Sequence, residues 1–305
     1  MRLRALLLSS VIVIGALVGA GCAGSDDAPD VSGLIASSLR AAAAQKDMKV
    51  HYALRGKVDA TPSAEASPHT RKWLSTPIAL TASGGASKDA VTLAGDVGLA
   101  GSSYHAEALL GRHETFINLL GSWYGDRSKG LEDAQRSAED DAVSKADPEE
   151  LRKTLRWVYD HSDEVLDAEV TAGPDIDGRT WQAKGHCNPD GIVQLAERDG
   201  QTVSAQDAKD VATFCRATSI KYVVGAEDHL PREVHVAANL DKPTMTALAA
   251  SSGDDSSKEL ERVNIDLDIK LTQWGKDVSY TAPTSVRPMD ELGMAVLGLL
   301  FQAAS

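Results

Sequence analysis

The sequence predicts an α+β fold: one large antiparallel sheet, curved, with a few helices on its concave face. Three patterns predict it. Apolar residues recur at every second position through most of the chain, as in strands with one dry and one wet face. The linkers between these runs are short and contain glycine, as antiparallel hairpins do. About ten such strands make a sheet that rarely stays flat without curling around something.

In chain order, Val31 to Gln45 places Leu34, Ile35, Leu39 and Ala42 on one helical stripe, with an alanine run that favours helix. From Met48 the period becomes two, with Val50, Tyr52 and Leu54 against His51, Ala53 and Arg55. Residues Thr61 to Ser75, with Pro62 and Pro68, read as a loop. Strands come next around Ile78 to Ala82, Val91 to Leu99 and Tyr104 to Leu110. Glu114 to Tyr124 reads as one further strand, apolar in both phases and therefore buried on both sides.

The segment Gly125 to Ala146, with Glu139-Asp140-Asp141, is polar, and Asp147-Pro148-Glu149-Glu150 then starts a helix that runs to about His161. Strands at Leu166 to Val170 and Arg179 to Cys187 come after it, the second with Trp181, Ala183, Gly185 and Cys187 in phase. Asn188 caps a helix at Pro189 to Glu197, and Ser204 caps another at Ala205 to Ala217. After strands Ser219 to Gly225 and Arg232 to Leu240, the stretch Asp241 to Lys258 reads as a polar excursion. The clearest strand carries Val263, Ile265, Leu267, Ile269 and Leu271, and Val278 and Tyr280 are expected to continue the sheet after the Gly275-Lys276-Asp277 turn. Met289 to Phe301 is apolar nearly all round and too short to span a bilayer. It is read either as a core helix closing the domain or as a lid over a ligand cavity.

The first 22 residues point to the compartment. Arg2 and Arg4 precede an apolar run from Ala5 to Val18, and Gly19-Ala20-Gly21 lead into Cys22, the pattern of a secretory leader with a processing site. The run is shorter than the roughly 20 residues of a membrane-spanning helix. The arrangement resembles a bacterial lipoprotein signal. That resemblance implies a signal peptide over 1–21, acylation of Cys22 as the new N-terminus, a tether over 22–30, and one domain over 31–305 anchored outside the cytosol. A plain leader and a signal anchor are the alternatives.

Charge excludes some partners. Loss of Arg2 and Arg4 with the leader takes the net charge from −13 to about −15, which repels nucleic acid and anionic headgroups. Membrane attachment then rests on acyl chains rather than on basic patches. After Cys22, only Cys187 and Cys215 remain, and an even pair in an exported chain is expected to form a disulfide. A zinc site is the alternative, but neither cysteine lies in a CxxC and His186 has no second paired ligand.

No catalytic or cofactor motif is present: the chain has no HExxH, GxSxG, Walker loop or EF-hand spacing. His51, His105, His186 and His235 fall in the polar phases of their strands, and Asp266 and Asp268 share an open face with Lys270. No enzyme, metal or cofactor is expected.

Several stretches together resemble the LolA-like lipoproteins, including the LppX and LprG branch of actinobacteria. They are Gln45-Lys46-Asp47-Met48-Lys49-Val50, Leu120-Gly121-Ser122-Trp123-Tyr124, Asp228-His229-Leu230-Pro231, and Leu271 to Val278. The resemblance implies a half-barrel sheet whose concave, helix-covered face encloses an apolar cavity for lipid acyl chains. The expected function is a membrane-anchored carrier of a lipid, glycolipid or lipidated ligand, with a possible protein partner in the envelope. Its lining would include Ile265, Leu267, Ile269 and Leu271 of the sheet and Leu292, Val296 and Leu300 of the last helix. The rival expectation is an anchored interaction or sensor domain with a filled core and no ligand.

Overall fold

In the computed structural model the described residues are 29–294 without 46, 48, 75, 100, 131–163, 165, 199–201 and 251–258. The leader, Cys22, most of the tether, the helix expected at 147–161, and Val296 and Leu300 lie outside them.

The fold is α+β, with twelve strands in an open sheet that is antiparallel but for one short pairing. In chain order the elements are α1 (Val31–Ala44), β1 (Val50–Pro62), α2 (Pro68–Trp73), β2 (Ile78–Ala86), β3 (Ala90–Leu99), β4 (Ser102–Gly111), β5 (Thr115–Leu119) and β6 (Ser122–Asp126). Then come β7 (Leu166–Ala172), β8 (Thr180–Cys187), α3 (Pro189–Arg198), α4 (Ala205–Ala217), β9 (Thr218–Gly225), β10 (Pro231–Asp241), α5 (Lys242–Ala250), β11 (Leu260–Thr272) and β12 (Arg287–Pro288). They fall into two compact units: one of α1, β7 to β10 and α3 to α5, the other of β1 to β6, α2, β12 and β11 from Val263.

In the first unit, β10, β9, β8 and β7 run side by side, and α1 packs on β7, β8 and β10. Leu34 of α1 is fully buried among Ala183, Tyr222 and Val224, with Val170, Trp181 and Val234 around them. The buried Ser38 hydroxyl donates to the Ile35 carbonyl and accepts from the Tyr222 hydroxyl at 2.7 Å. Both polar side chains are thereby satisfied inside the apolar layer. Burial nevertheless pushes the Tyr222 phenol up to about 12, with the Ser38 bond pulling slightly the other way.

Helix α4 starts on a full capping box, in which Ser204 accepts from the Asp207 amide and the Asp207 carboxylate accepts from Ser204. These bonds hold the Asp207 carboxyl below the usual carboxylate range. Helix α3 is capped by Asn188, whose Oδ1 accepts from the Asp190 amide at 3.1 Å. Cys187, in phase with Ala183 at the end of β8, is bonded to Cys215 on the buried side of α4. The expected disulfide therefore ties the end of a strand to a helix, and it closes a loop containing both α3 and α4.

The stretch after β10 differs from expectation. Residues 242–250 form helix α5 rather than an irregular excursion, because Asp241 accepts from the Thr244 amide at 3.0 Å and Met245 is buried. Similarly, α2 arises inside the expected loop at 61–75. There Ser67 caps the helix by accepting from the Thr70 amide and Pro68 fits its first turn.

The second unit is a meander, β1 to β6 in sequence order with β11 on the far side of β1. The segment expected as one strand at 114–124 is two, β5 and β6, joined at Leu120 and Gly121 with φ of 54° and 77°. Both residues of such a tight turn need positive φ. Leu120 hides it in the sequence because it sustains the apolar run while sitting 57% exposed at the tip.

The chain after β11 corrects a second expectation. Val278 and Tyr280 add no strand; residues 273–286 cross one face of the sheet as a strap. Lys49 donates to Asp277 Oδ1 at 2.6 Å, and His51 Nε2 donates to the Asp277 carbonyl at 3.2 Å. Arg127 reaches the Pro283 carbonyl at 2.7 Å, and β12 then pairs in parallel with β6. Glycines clear the path beneath it. A Cβ on Gly85 would stand 2.8 Å from Val278, one on Gly125 would stand 2.8 Å from Val286, and one on Gly111 would collide with the Tyr280 hydroxyl. Phe116, fully buried, lies in the row of Gly85 and Gly125 with the Arg127 guanidinium 5.1 Å from its ring centre.

Candidate functional site: the apolar face of the second unit

Strand register builds the site. Pairings across β1 to β5 align Leu54, Ala82, Gly95, Ala106 and Leu119 in one cross-strand row. The next row holds Tyr52, Gly84, Leu93, Ala108, Ile117 and, on β6, Tyr124. A third holds Gly56, Leu80, Val97 and Tyr104. All three rows lie on the face opposite the strap, since the strap covers the alternate positions, among them Gly85 and Gly125.

Residue size shapes this face. In the first row the middle strands carry Ala82, Gly95 and Ala106 between Leu54 and Leu119, and in the second Gly84 and Ala108 interrupt the larger side chains. The Tyr52 ring leans over Gly84, where its hydroxyl donates to the Thr92 carbonyl at 2.6 Å and a Cβ would stand 3.0 Å from it. The floor is thus low in the centre and walled by leucine, isoleucine and tyrosine.

Burial sets this face apart from an ordinary core. Ile78 is 40% exposed and Ile265 37%, while Leu80, Leu93, Val97, Leu119, Leu267 and Ile269 are only half-buried. Among the described residues, the helices that pack extensively on strands do so in the first unit, on β7 to β10. A broad apolar sheet face that is incompletely covered is the kind of surface that accompanies sites for a partner protein, a membrane or an apolar ligand.

Of the residues singled out from sequence, Ile265, Leu267, Ile269 and Leu271 alternate along β11. Leu267 reaches the third row, its Cδ1 3.8 Å from where a Cβ on Gly56 would stand. Leu292 comes just after a short 3₁₀ turn, Met289–Glu291, that packs on β6. Sequence reasoning missed the larger part of the face, on β1 to β5. Each strand supplies only two or three of its residues, and the rows exist only once register is known.

On the strap side the Tyr280 hydroxyl donates to Glu114 Oε1 at 2.7 Å. Burial first, and then that bond and the Glu114 charge, push the Tyr280 phenol up to about 12. Because Tyr222 and Tyr280 both rise from the ordinary 10 to about 12, the folded chain favours their neutral forms. Their contribution is complete below pH 10 and lost as pH climbs toward 12. Urea melts between these values should show falling stability, and Tyr280→Phe should flatten the fall; an identical pH profile for the variant would contradict the assignment.

Of the described histidines, His105 is exposed beside Asp96, and His186 Nδ1 donates to the Thr218 carbonyl. A shallow groove of about 440 Å³ in the first unit is lined by Asp167, Glu169, Lys184, His186 and Ser219. It lies on the face of β7 to β9 opposite α1, and Asp167, Glu169, Lys184 and His186 bring ionisable side chains to it beside Ala168 and Gly185.

Comparison with known proteins adds little to this geometry. No family model and no curated protein matches the chain. Among solved structures, the crystal structure of LprF from Mycobacterium bovis is 11% identical over 85% of this chain and 100% of that one, with a TM-score of 0.30.

Proposed function

We propose that the chain is an extracytoplasmic lipoprotein, acylated at Cys22, that binds the acyl chains of a lipid, glycolipid or lipidated molecule on the apolar face of its second unit. The observation that carries the reading is that face: three cross-strand rows of apolar and small residues, most of them half-buried rather than closed off as in a core. Removing a methylene from water is worth about 0.8 kcal/mol. A chain of ten methylenes laid on such a surface gains about 8 kcal/mol before the cost of association is subtracted. No specific polar chemistry is required for this.

The leader supports the location. Arg2, Arg4, the apolar run and Cys22 fit an exported, anchored protein, and among the described residues no helix is long and apolar enough to cross a membrane. The disulfide between Cys187 and Cys215 suits an oxidising compartment. The activity assigned is reversible shielding of acyl chains near a membrane, with no catalytic step. Mass spectrometry of an organic extract of the purified chain is expected to find lipid at close to one per chain. An extract free of lipid, together with no uptake of a fluorescent fatty acid, would favour the rival reading of an interaction domain without a ligand.

A further inference from the structure

One end of the second unit's sheet exposes aliphatic side chains on several strands at once. Thr272 Oγ1 on β11 donates to the His51 carbonyl of β1 at 3.5 Å, and Leu267 Cδ1 lies 3.8 Å from where a Cβ on Gly56 would stand. Both contacts fit one antiparallel register, which sets Ile265 beside Val58. Val58 pairs with Ile78, the β2 to β3 register carries on from Ile78 to Leu99, and Leu99 pairs with Ser102. These residues form the last row of the apolar face, and the turn at Leu120 stands at the same end of the meander.

Exposure singles out this end. Ile265 is 37% exposed, Ile78 40% and Leu120 57%, and among the described residues the other large apolar side chain so exposed is Met294. Strand β12 runs parallel to β6, away from the Leu120 turn, so Met294 lies past the opposite end. Charge is kept off the apolar side here. Lys57 and Asp59 pair with each other at 3.3 Å on the other face, where Asp96 also meets His105. The last two apolar rows carry only the hydroxyls of Tyr104 and Ser102.

A bilayer fits this end better than a single ligand molecule does. Ile265 on β11 and Leu120 after β5 are five strand spacings apart, about 24 Å along the sheet, a breadth that suits a planar surface. The net charge of −13 disfavours anionic headgroups, which leaves zwitterionic lipid. We propose that this end, through Ile78, Leu120 and Ile265, seats on a bilayer of zwitterionic lipid, and that an acyl chain passes from the membrane onto the apolar rows without crossing a charged residue. The side chains enter while the backbone stays at headgroup level, because unpaired strand-end amides are costly in hydrocarbon. The contact stands independently of any bound lipid; the passage rests on the acyl-binding reading.

The test separates the two. The mature chain with Cys22→Ser, free of leader and acyl anchor, is floated with vesicles of palmitoyl-oleoyl phosphatidylcholine. It is expected to float with them, and Leu120→Asp with Ile78→Asp is expected to cut the floated fraction about tenfold. Leu120→Asp alone, at a turn tip that water already reaches, is expected to cut it about threefold, and Met294→Asp to leave it unchanged. No flotation of the folded chain, an equal loss with Met294→Asp, or stronger flotation with phosphatidylglycerol vesicles would overturn the contact. In a second arm, a pyrene-labelled fatty acid held in vesicles is expected to reach the Leu120→Asp chain about tenfold more slowly than the unaltered one, with its affinity in solution kept within about twofold. Equal rates overturn the passage. If the chain floats yet takes up no fatty acid from either source, the acyl-binding reading fails and the passage with it, while flotation still decides the contact.

Discussion

Leu93→Asp is expected to lower the affinity for a fluorescent fatty acid by at least about 100-fold, close to 3 kcal/mol, while leaving the chain folded. Leu93 stands in the central row of the apolar face and is half-buried, flanked across the strands by Gly84 and Ala108. Without ligand a carboxylate there still reaches water, so the fold tolerates it. With an acyl chain laid across the row that carboxylate loses its water with no partner to replace it, and such burial is costly. The neighbouring Ala94 faces the other way, paired with Ser83 and Glu107. Ala94→Asp is therefore expected to leave the affinity within about twofold, since a charge on a face away from the ligand costs little. Equal losses for both variants would place binding elsewhere.

The second large effect is on stability. Replacing Cys187 and Cys215 by alanine should cost about 3 to 4 kcal/mol, the loop-closure value for a loop of this length, and lower the melting temperature by about 10 °C. The bridge, with a sequence separation of 28, encloses α3 and α4, and Val211 and Cys215 on α4 are among the most buried side chains of the chain. Reduction of the unaltered chain is expected to reproduce most of the loss. Thermal unfolding tracked by circular dichroism, with and without reductant, measures it directly. A melting temperature unmoved by either treatment would mean that the core of the first unit holds these helices without the bridge.

The sequence made some of this legible for plain reasons. Strands β1 and β11 show their period because one face is apolar and the other charged, as in Leu267 and Ile269 against Asp266, Asp268 and Lys270. The starts of α3 and α4 show because Asn188 and Ser204 cap them. The hairpin of β5 and β6 is obscured by Leu120, an apolar residue at a turn. The strap misleads for a different reason. Val278 and Tyr280 alternate as strand residues do, but their side chains fill places above Gly85 and Gly111 rather than extending the ladder. Glycines inside strands often mark a close approach by another backbone, and Gly85, Gly111 and Gly125 are the signal the sequence offers for it.

The candidate site is legible only in part. The apolar phase of β11 can be read directly, but the rows across β1 to β5 depend on register, which no single strand encodes. Cys22, Val296 and Leu300 lie outside the described residues, and their roles rest on the sequence.

Nuclear magnetic resonance with a spin-labelled fatty acid tests the central claim most directly. With the methyl groups of leucine, isoleucine and valine labelled, doxyl-stearate is expected to broaden Leu80, Leu93, Val97, Ile117, Leu119 and Leu267 while sparing Leu34, Val170 and Val224 of the first unit's core. Broadening confined to the first unit, or none at saturating ligand, would contradict the account.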